Sequence, residues 1–385
     1  MKNMRIDDFH EKVWLSSPTM HGEELHYVQE AFDTNWVAPL GKNVNEFEKE
    51  MAAYVGIGHT AALNSGTAAL HLAIKLVGIQ AGDLVCCSDL TFAATVNPVS
   101  YEGGVQIFID SERETWNMNP EALERALKKY RGKIKAVIVA NLYGTPAKLE
   151  EIVSLCDAYG VTLIEDAAES LSATYKGRQT GTFGKYNCIS FNGNKIITTS
   201  GGGMLLSHEE EAVQKARFWA TQARDPAPWY QHSETGYNYR MSNIVAGIGR
   251  GQLLHLDEHR RRKKEIYIKY KEGFKELPIE MNPYLEDSEP NFWLSCMTID
   301  RKLVENGRVT PEKIRIALQE KNVESRPIWK PMHLQPVYVN REFVSVGGED
   351  VGGDIFTRGL CLPSDVKMAE EVQDVVIEIV RECFE

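Results

Sequence analysis

The sequence has no Cys-x-x-Cys pair, although it holds 7 cysteines. Without that spacing neither a thiolate zinc site nor a dithiol redox motif is expected, and no metal site is predicted. Unpaired, scattered cysteines suit a reducing compartment, so a cytoplasmic location is expected. No uninterrupted apolar stretch approaches the ~20 residues that span a bilayer. Met1–Val13 is charged where a signal peptide would be apolar. Membrane insertion is therefore not expected. Positive charge is also short: 43 Lys and Arg against 54 Asp and Glu give a net charge of −11. That balance argues against general affinity for nucleic acid, and an anionic ligand must be held by a local pocket.

Two nucleotide-binding signals are missing as well. Gly184-Lys185 is followed by Tyr186, so there is no Walker loop. Gly247-Ile248-Gly249-Arg250-Gly251 lies in a helical pattern with its third glycine misplaced for a dinucleotide fingerprint. The basic run His259–Lys264, flanked by Asp257, Glu258 and Glu265, reads as a solvated helix face.

What is present is an alternation of short apolar runs and helical patterns. Val105–Asp110, Ala136–Asn141, Val161–Glu165, Cys188–Phe191 and Met204–Ser207 read as buried strands. Helices lie between them, one capped by Asn119 with Pro120 at its first position, another running Lys148–Tyr159 to Gly160. This predicts an α/β chain with a large, mainly parallel sheet, whose ligands collect at the carboxyl ends of the strands. After about residue 250 the texture changes. Leu253–Phe274 reads as a long helix linking residues 1–250, an N-terminal arm and large domain, to a smaller C-terminal domain within 251–385.

Three segments carry chemistry. Asn64-Ser65-Gly66-Thr67 opens a helix, where free N–H groups, two hydroxyls and a glycine make a phosphate seat or, more plainly, an N-cap. Asp166 ends an apolar strand, and a carboxylate there is costly unless it meets a cation. Lys195 follows Ser190-Phe191-Asn192-Gly193-Asn194 and precedes Thr198–Gly203; a desolvated amine there is nucleophilic. Together the three match pyridoxal 5'-phosphate: helix terminus for the phosphate, Lys195 for a Schiff base, Asp166 for the protonated pyridine nitrogen.

On these and further motifs the chain resembles the DegT/DnrJ/EryC1/StrS family of sugar-nucleotide aminotransferases. The motifs are Trp36–Gly41, Asn64–Leu70, Thr91–Thr95, Glu165–Glu169, Ser190–Lys195 and Gly236–Ser242. The resemblance implies fold type I, like aspartate aminotransferase, with a smaller C-terminal α+β domain. It implies that Phe92 stacks on the cofactor ring, that Ser190 joins Ser65, Gly66 and Thr67 on the phosphate, and that Asn192 and Glu169 also border the cofactor. Glu169 departs from the Gln common in relatives, since a carboxylate cannot donate a hydrogen bond unless protonated. Asn238 is expected to reach the phosphate of a partner subunit, which makes the protein a homodimer with shared sites.

The implied reaction moves an amino group from L-glutamate to a nucleotide-linked keto-sugar, with pyridoxamine phosphate as the intermediate cofactor form. Lys195 serves as general base and acid; relatives that dehydrate sugars carry His there. Phe191–Gly203 and Arg326–His333 are most similar to enzymes aminating C4 of UDP-4-keto-6-deoxy-N-acetylhexosamines, of the bacillosamine or exopolysaccharide type. Trp36, Arg326, Trp329 and His333 are the expected sugar-nucleotide contacts. GDP- or dTDP-linked sugars, a dehydratase and a non-catalytic cofactor sensor are the alternatives.

Overall fold

The computed structural model describes residues 9–385. Its centre is an eight-stranded sheet. Across the sheet the strands run His59–Leu63, Gly203–Ser207, Tyr186–Ser190, Thr162–Asp166, Ile134–Ala140, Leu84–Ser88, Val105–Ile109 and Glu342–Val344. All neighbours pair in parallel except at Gly203–Ser207, which runs antiparallel to both His59–Leu63 and Tyr186–Ser190. The five expected strands are present within one or two residues of their predicted ends. His59–Leu63, Leu84–Ser88 and Glu342–Val344 are additions.

Both faces of the sheet are covered, which is why its strands read as unbroken apolar runs. On one face Leu70, Leu72 and Ile74 of the helix Gly66–Val77 pack with Val213 and Trp219 of Glu210–Ala220. On the other, Leu123 and Leu127 of Pro120–Lys129 pack with Ile152 and Cys156 of Leu149–Tyr159. The punctuation is as read. Asn119 accepts the N–H of Glu121 at 2.9 Å, and Gly160 closes its helix in the left-handed region at φ 64°.

The glycine run Gly247–Gly251 lies inside the helix Asn243–Leu253. A Cβ at Gly251 would stand 2.6 Å from the backbone nitrogen of Glu24, and one at Gly249 2.6 Å from the Phe47 ring. The run is a close-packing stripe beneath the helices Glu23–Asp33 and Lys42–Val55.

The second unit is a four-stranded antiparallel sheet, Ile279–Met281, Ser295–Ile299, Gly359–Leu362 and Arg326–Pro327. Tyr270 and Phe274 near the end of the helix Leu256–Gly273, Leu318 of Pro311–Glu320 and Val376 of Glu370–Glu382 form its core. A division after residue 250 does not separate the two sheets. Val13 bridges to Val323, and Glu342–Val344 joins the edge of the large sheet. The basic run also differs from its reading as a solvated face, because His259 and Lys263 are buried. No helix among the described residues is long and apolar enough to cross a membrane.

Candidate active site

A cavity of about 400 Å3 opens where the strands Ile134–Ala140, Thr162–Asp166 and Tyr186–Ser190 end. Its wall is built from Ser65, Gly66, Thr67, Phe92, Thr95, Asp166, Glu169, Ser190, Asn192, Lys195, Trp293 and Trp329, among others. Parallel sheets leave such a crevice at their carboxyl ends, and its size suits a small ligand.

One end of the cavity is the start of the helix Gly66–Val77. Ser65 is the N-cap, its Oγ accepting the N–H of Ala68 at 3.0 Å. The N–H groups of Gly66 and Thr67 have no carbonyl a turn earlier, so they are available to an anion. Backbones come very close here. A Cβ at Gly203 would lie 2.3 Å from the nitrogen of Gly66, and one at Gly66 would lie 2.9 Å from Cβ of Ser190. Only glycine at both points keeps the seat open.

Asp166 stands at the tip of its strand, buried. Oδ2 accepts the Thr95 hydroxyl at 2.7 Å and Oδ1 accepts the N–H of Ala168 at 3.0 Å. Burial pushes its carboxyl above the usual range, against those hydrogen bonds and the nearby charge of Lys195. Among the described residues the carboxylate has no direct ion-pair partner, and a protonated ring nitrogen in the cavity would supply one.

Lys195 lies in the turn after Tyr186–Ser190. Its Nζ is 4.0 Å from the centre of the Trp293 ring and 3.6 Å from Oε1 of Glu169. Trp293 is itself fixed, donating its indole N–H to the carbonyl of Asn194 at 2.7 Å. Glu169 Oε2 accepts the N–H of Tyr143 at 2.7 Å. Burial raises the Glu169 carboxyl and the charge of Lys195 opposes it.

Aromatic rings form the mouth. Phe92 is 51% exposed, with its ring 5.4 Å from that of Trp329. Tyr143 stacks between Trp293 and Trp329, at 6.3 and 5.9 Å. Its hydroxyl accepts the backbone N–H of Trp329 at 2.8 Å.

Of the expected sugar-nucleotide contacts, Trp329 alone lines this cavity. Arg326 points to Glu324, 2.8 Å away, on an exposed edge. His333 is committed elsewhere: Nδ1 is 2.7 Å from Asp89 and Nε2 is 3.3 Å from Asp350. Two carboxylates occupy both ring nitrogens, so it clamps two loops together instead of facing a ligand. Trp36 borders a separate surface hollow with Leu40, Lys42 and Asn45. Asn238 does not line the cavity; its carbonyl accepts the side-chain N–H of Asn64 at 3.1 Å. Thr95, Trp293 and Tyr143 are wall or support residues for which no role was expected. Thr95 lies within a recognised motif, but its bond to Asp166 has no local signature.

The profile of the DegT/DnrJ/EryC1/StrS aminotransferase family matches residues 18–381. The chain belongs to that family. It is 52% identical over 382 residues to EpsN of Bacillus subtilis, covering 97% of this chain and 96% of that one. The name of that relative provisionally assigns it as a pyridoxal phosphate-dependent aminotransferase. It is 34% identical to GDP-perosamine synthase of Escherichia coli O157:H7, covering 95% and 97% of the two chains. The crystal structure of the aminotransferase TlmJ from Streptoalloteichus hindustanus superposes with a TM-score of 0.87 at 26% identity, covering 96% and 98%. This family member has the fold of the pyridoxal phosphate-dependent aminotransferases and uses that cofactor. The residues present fit it: an open anion seat, a buried carboxylate lacking a direct cationic partner, and an amine facing both across one cavity.

Proposed function

We propose that this family member transfers the amino group of L-glutamate to C4 of a nucleotide-linked 4-keto-6-deoxy sugar, with the UDP-linked N-acetylhexosamine as the preferred acceptor. The observation that carries the catalytic part is the convergence of Lys195, Asp166 and the Ser65–Thr67 helix terminus on one cavity. The choice of sugar rests on the likeness of Phe191–Gly203 and Arg326–His333 to UDP-sugar transaminases. The likeness to GDP-perosamine synthase favours a GDP-linked sugar as the second reading.

In this reading each side chain has a bounded task. Gly66 and Thr67 bind the cofactor phosphate through their N–H groups, joined by the hydroxyls of Ser65, Thr67 and Ser190. Phe92 covers one face of the ring and sheds water from it. Bound pyridoxal phosphate supplies an electron sink that makes the substrate's α-hydrogen acidic. Asp166 holds the ring nitrogen protonated, each pKa unit of that effect being worth ~1.4 kcal/mol. Lys195 would take the proton from the donor's α-carbon and return it two atoms away, across the nitrogen, as base and then acid. The Trp293 face fixes the path of Nζ between those two points. Glu169 lies close enough to stabilise the ammonium when Lys195 carries the proton.

Purified protein with L-glutamate and a panel of UDP-, GDP- and dTDP-4-keto sugars, read by mass spectrometry, tests the proposal. A UDP-linked amino sugar formed with the highest kcat/KM is the expected result. Preference for the GDP-linked sugar selects the second reading. Absence of an aminated product across the panel rejects both.

A further inference from the structure

Two of the six residues of the basic run turn inward, toward the nucleophile. His259 and Lys263 lie one turn apart on the helix Leu256–Gly273 and are 3% and 2% exposed. His259 Nδ1 donates to the carbonyl of Ile196 at 2.8 Å. That bond places its proton on Nδ1, so Nε2 accepts from Nε2 of His21, also at 2.8 Å. Burial pulls the His259 imidazole down, in keeping with this neutral form.

Lys263 Nζ donates to the carbonyls of Trp293 at 3.0 Å and Ser364 at 2.8 Å. Trp293 in turn donates its indole N–H to the carbonyl of Asn194 and presents its ring face to Lys195 Nζ. The residues on either side of Lys195 are therefore braced by one helix. His259 holds Ile196 directly, and Lys263 holds Asn194 through Trp293.

A buried ammonium is an expensive brace. Burial lowers Lys263 to about 8, although Asp365 opposes the shift. Asp365 is itself turned to the N–H of Ser17 at 2.9 Å and the N–H of Lys367 at 2.9 Å, so the ammonium bonds neutral carbonyls. For stability alone an apolar side chain of similar volume would serve as well. An ammonium aimed at two backbone oxygens fixes their position.

We propose that His259 and Lys263 are positioning residues for Lys195, setting the backbone around it and, through Trp293, the direction of its side chain. The inference rests on the reading of Lys195 as the nucleophile. Because neither residue lines the cavity that holds the cofactor, both act through the residues they hold.

The test uses the full-length chain and the variants Lys263→Met, His259→Leu and His259→Asn. Asparagine keeps a donor near the position of Nδ1; leucine removes it. Cofactor-free protein is mixed with pyridoxal phosphate, quenched with borohydride at intervals and mapped by mass spectrometry. Loaded enzyme is then followed in single turnovers across glutamate concentrations. Lys263→Met and His259→Leu should slow covalent capture at Lys195 by about tenfold, while glutamate affinity stays within about twofold. His259→Asn should restore most of the rate. Capture at the wild-type rate in both Lys263→Met and His259→Leu overturns the proposal, as does equal slowing in His259→Asn and His259→Leu. If Lys263→Met does not fold, the two His259 variants decide the matter. A label on a different lysine in the wild-type protein instead overturns the nucleophile assignment itself, so the two failures are distinct.

Discussion

Thr95 donates its hydroxyl hydrogen to Asp166 at 2.7 Å, from 71 positions earlier in the chain. The Thr95 oxygen is also 2.7 Å from the hydroxyl of Thr91. Since the Thr95 hydrogen points to Asp166, Thr91 is the donor in that second bond. The Thr95 bond favours the ionised carboxylate, against burial, which pushes the group up. Hydrogen bonds to charged groups are worth about 1.5–3 kcal/mol. Thr95→Val should therefore lower kcat/KM by about tenfold or more with cofactor content unchanged. Wild-type kinetics in fully loaded protein would show that Asp166 needs no such support.

Lys195→Ala should abolish turnover while cofactor still binds non-covalently, because the helix terminus and Asp166 remain. Equilibrium dialysis against pyridoxal phosphate measures the binding, and borohydride labelling of the wild type locates the bond. Asp166→Ala should lose both affinity and activity. Activity within a few-fold of wild type in Asp166→Ala rejects the electron-sink assignment.

Gly66→Ala tests the phosphate seat. Its new Cβ would stand 2.9 Å from Cβ of Ser190, so the helix start or Ser190 must shift where the phosphate would sit. Affinity for pyridoxal phosphate should fall at least about tenfold. Unchanged affinity would place the phosphate elsewhere.

The His333 clamp gives a pH dependence with a defined sign. Burial pulls the imidazole down, but the hydrogen bonds to Asp350 and Asp89 outweigh it and push it up to about 9. Of its two partners, burial pushes Asp89 up, while the bond to His333 holds Asp350 down. A group raised above its unfolded value of about 6.5 stabilises fully below that pH and loses the effect as pH rises through about 9. The Tm difference between wild type and His333→Gln should be largest near pH 6 and shrink toward pH 10. A gap that widens on the alkaline side would refute the clamp.

The expectation of a homodimer with shared sites is tested by mixing two variants. In such a site Asn238→Asp would set a carboxylate against the phosphate and inactivate it, and Lys195→Ala removes the amine. If Asn238 of one subunit serves the site of the other, a reassembled mixed dimer has one site with both defects and one with none. Activity should return. A dead mixture, with mixed dimers confirmed by native mass spectrometry, confines Asn238 to its own subunit.

The central strands were readable because burial on both faces leaves no polar alternation, and Thr162–Asp166 even marks its end with the acidic pair Glu165-Asp166. His59–Leu63 was not, since His-Thr-Ala-Ala-Leu carries few large apolar side chains. The strands of the small sheet run only two to five residues, too short for a period to register. Among site residues, Asp166 and Lys195 announce themselves by local context. The partners that orient them do not: Thr95 meets Asp166 across 71 residues, and Trp293 meets Asn194 across 99. The basic run failed for a related reason. Charge in sequence suggests water, but the helix turns only some of its members outward, and long-range carbonyls claim the rest.

The strand Glu342–Val344 bears on how this chain tolerates being cut. After entering the small unit, the backbone returns to the large sheet, where Val351 and Gly352 donate their N–H groups to Asp110, and then re-enters the small sheet at Gly359–Leu362. A fragment ending near residue 250 would leave Val105–Ile109 as a bare, apolar edge and strip the buried Asp110 of two of its donors. Such an edge recruits other chains. The two units are thus stitched together, and neither is a natural cassette for expression or for swapping between relatives.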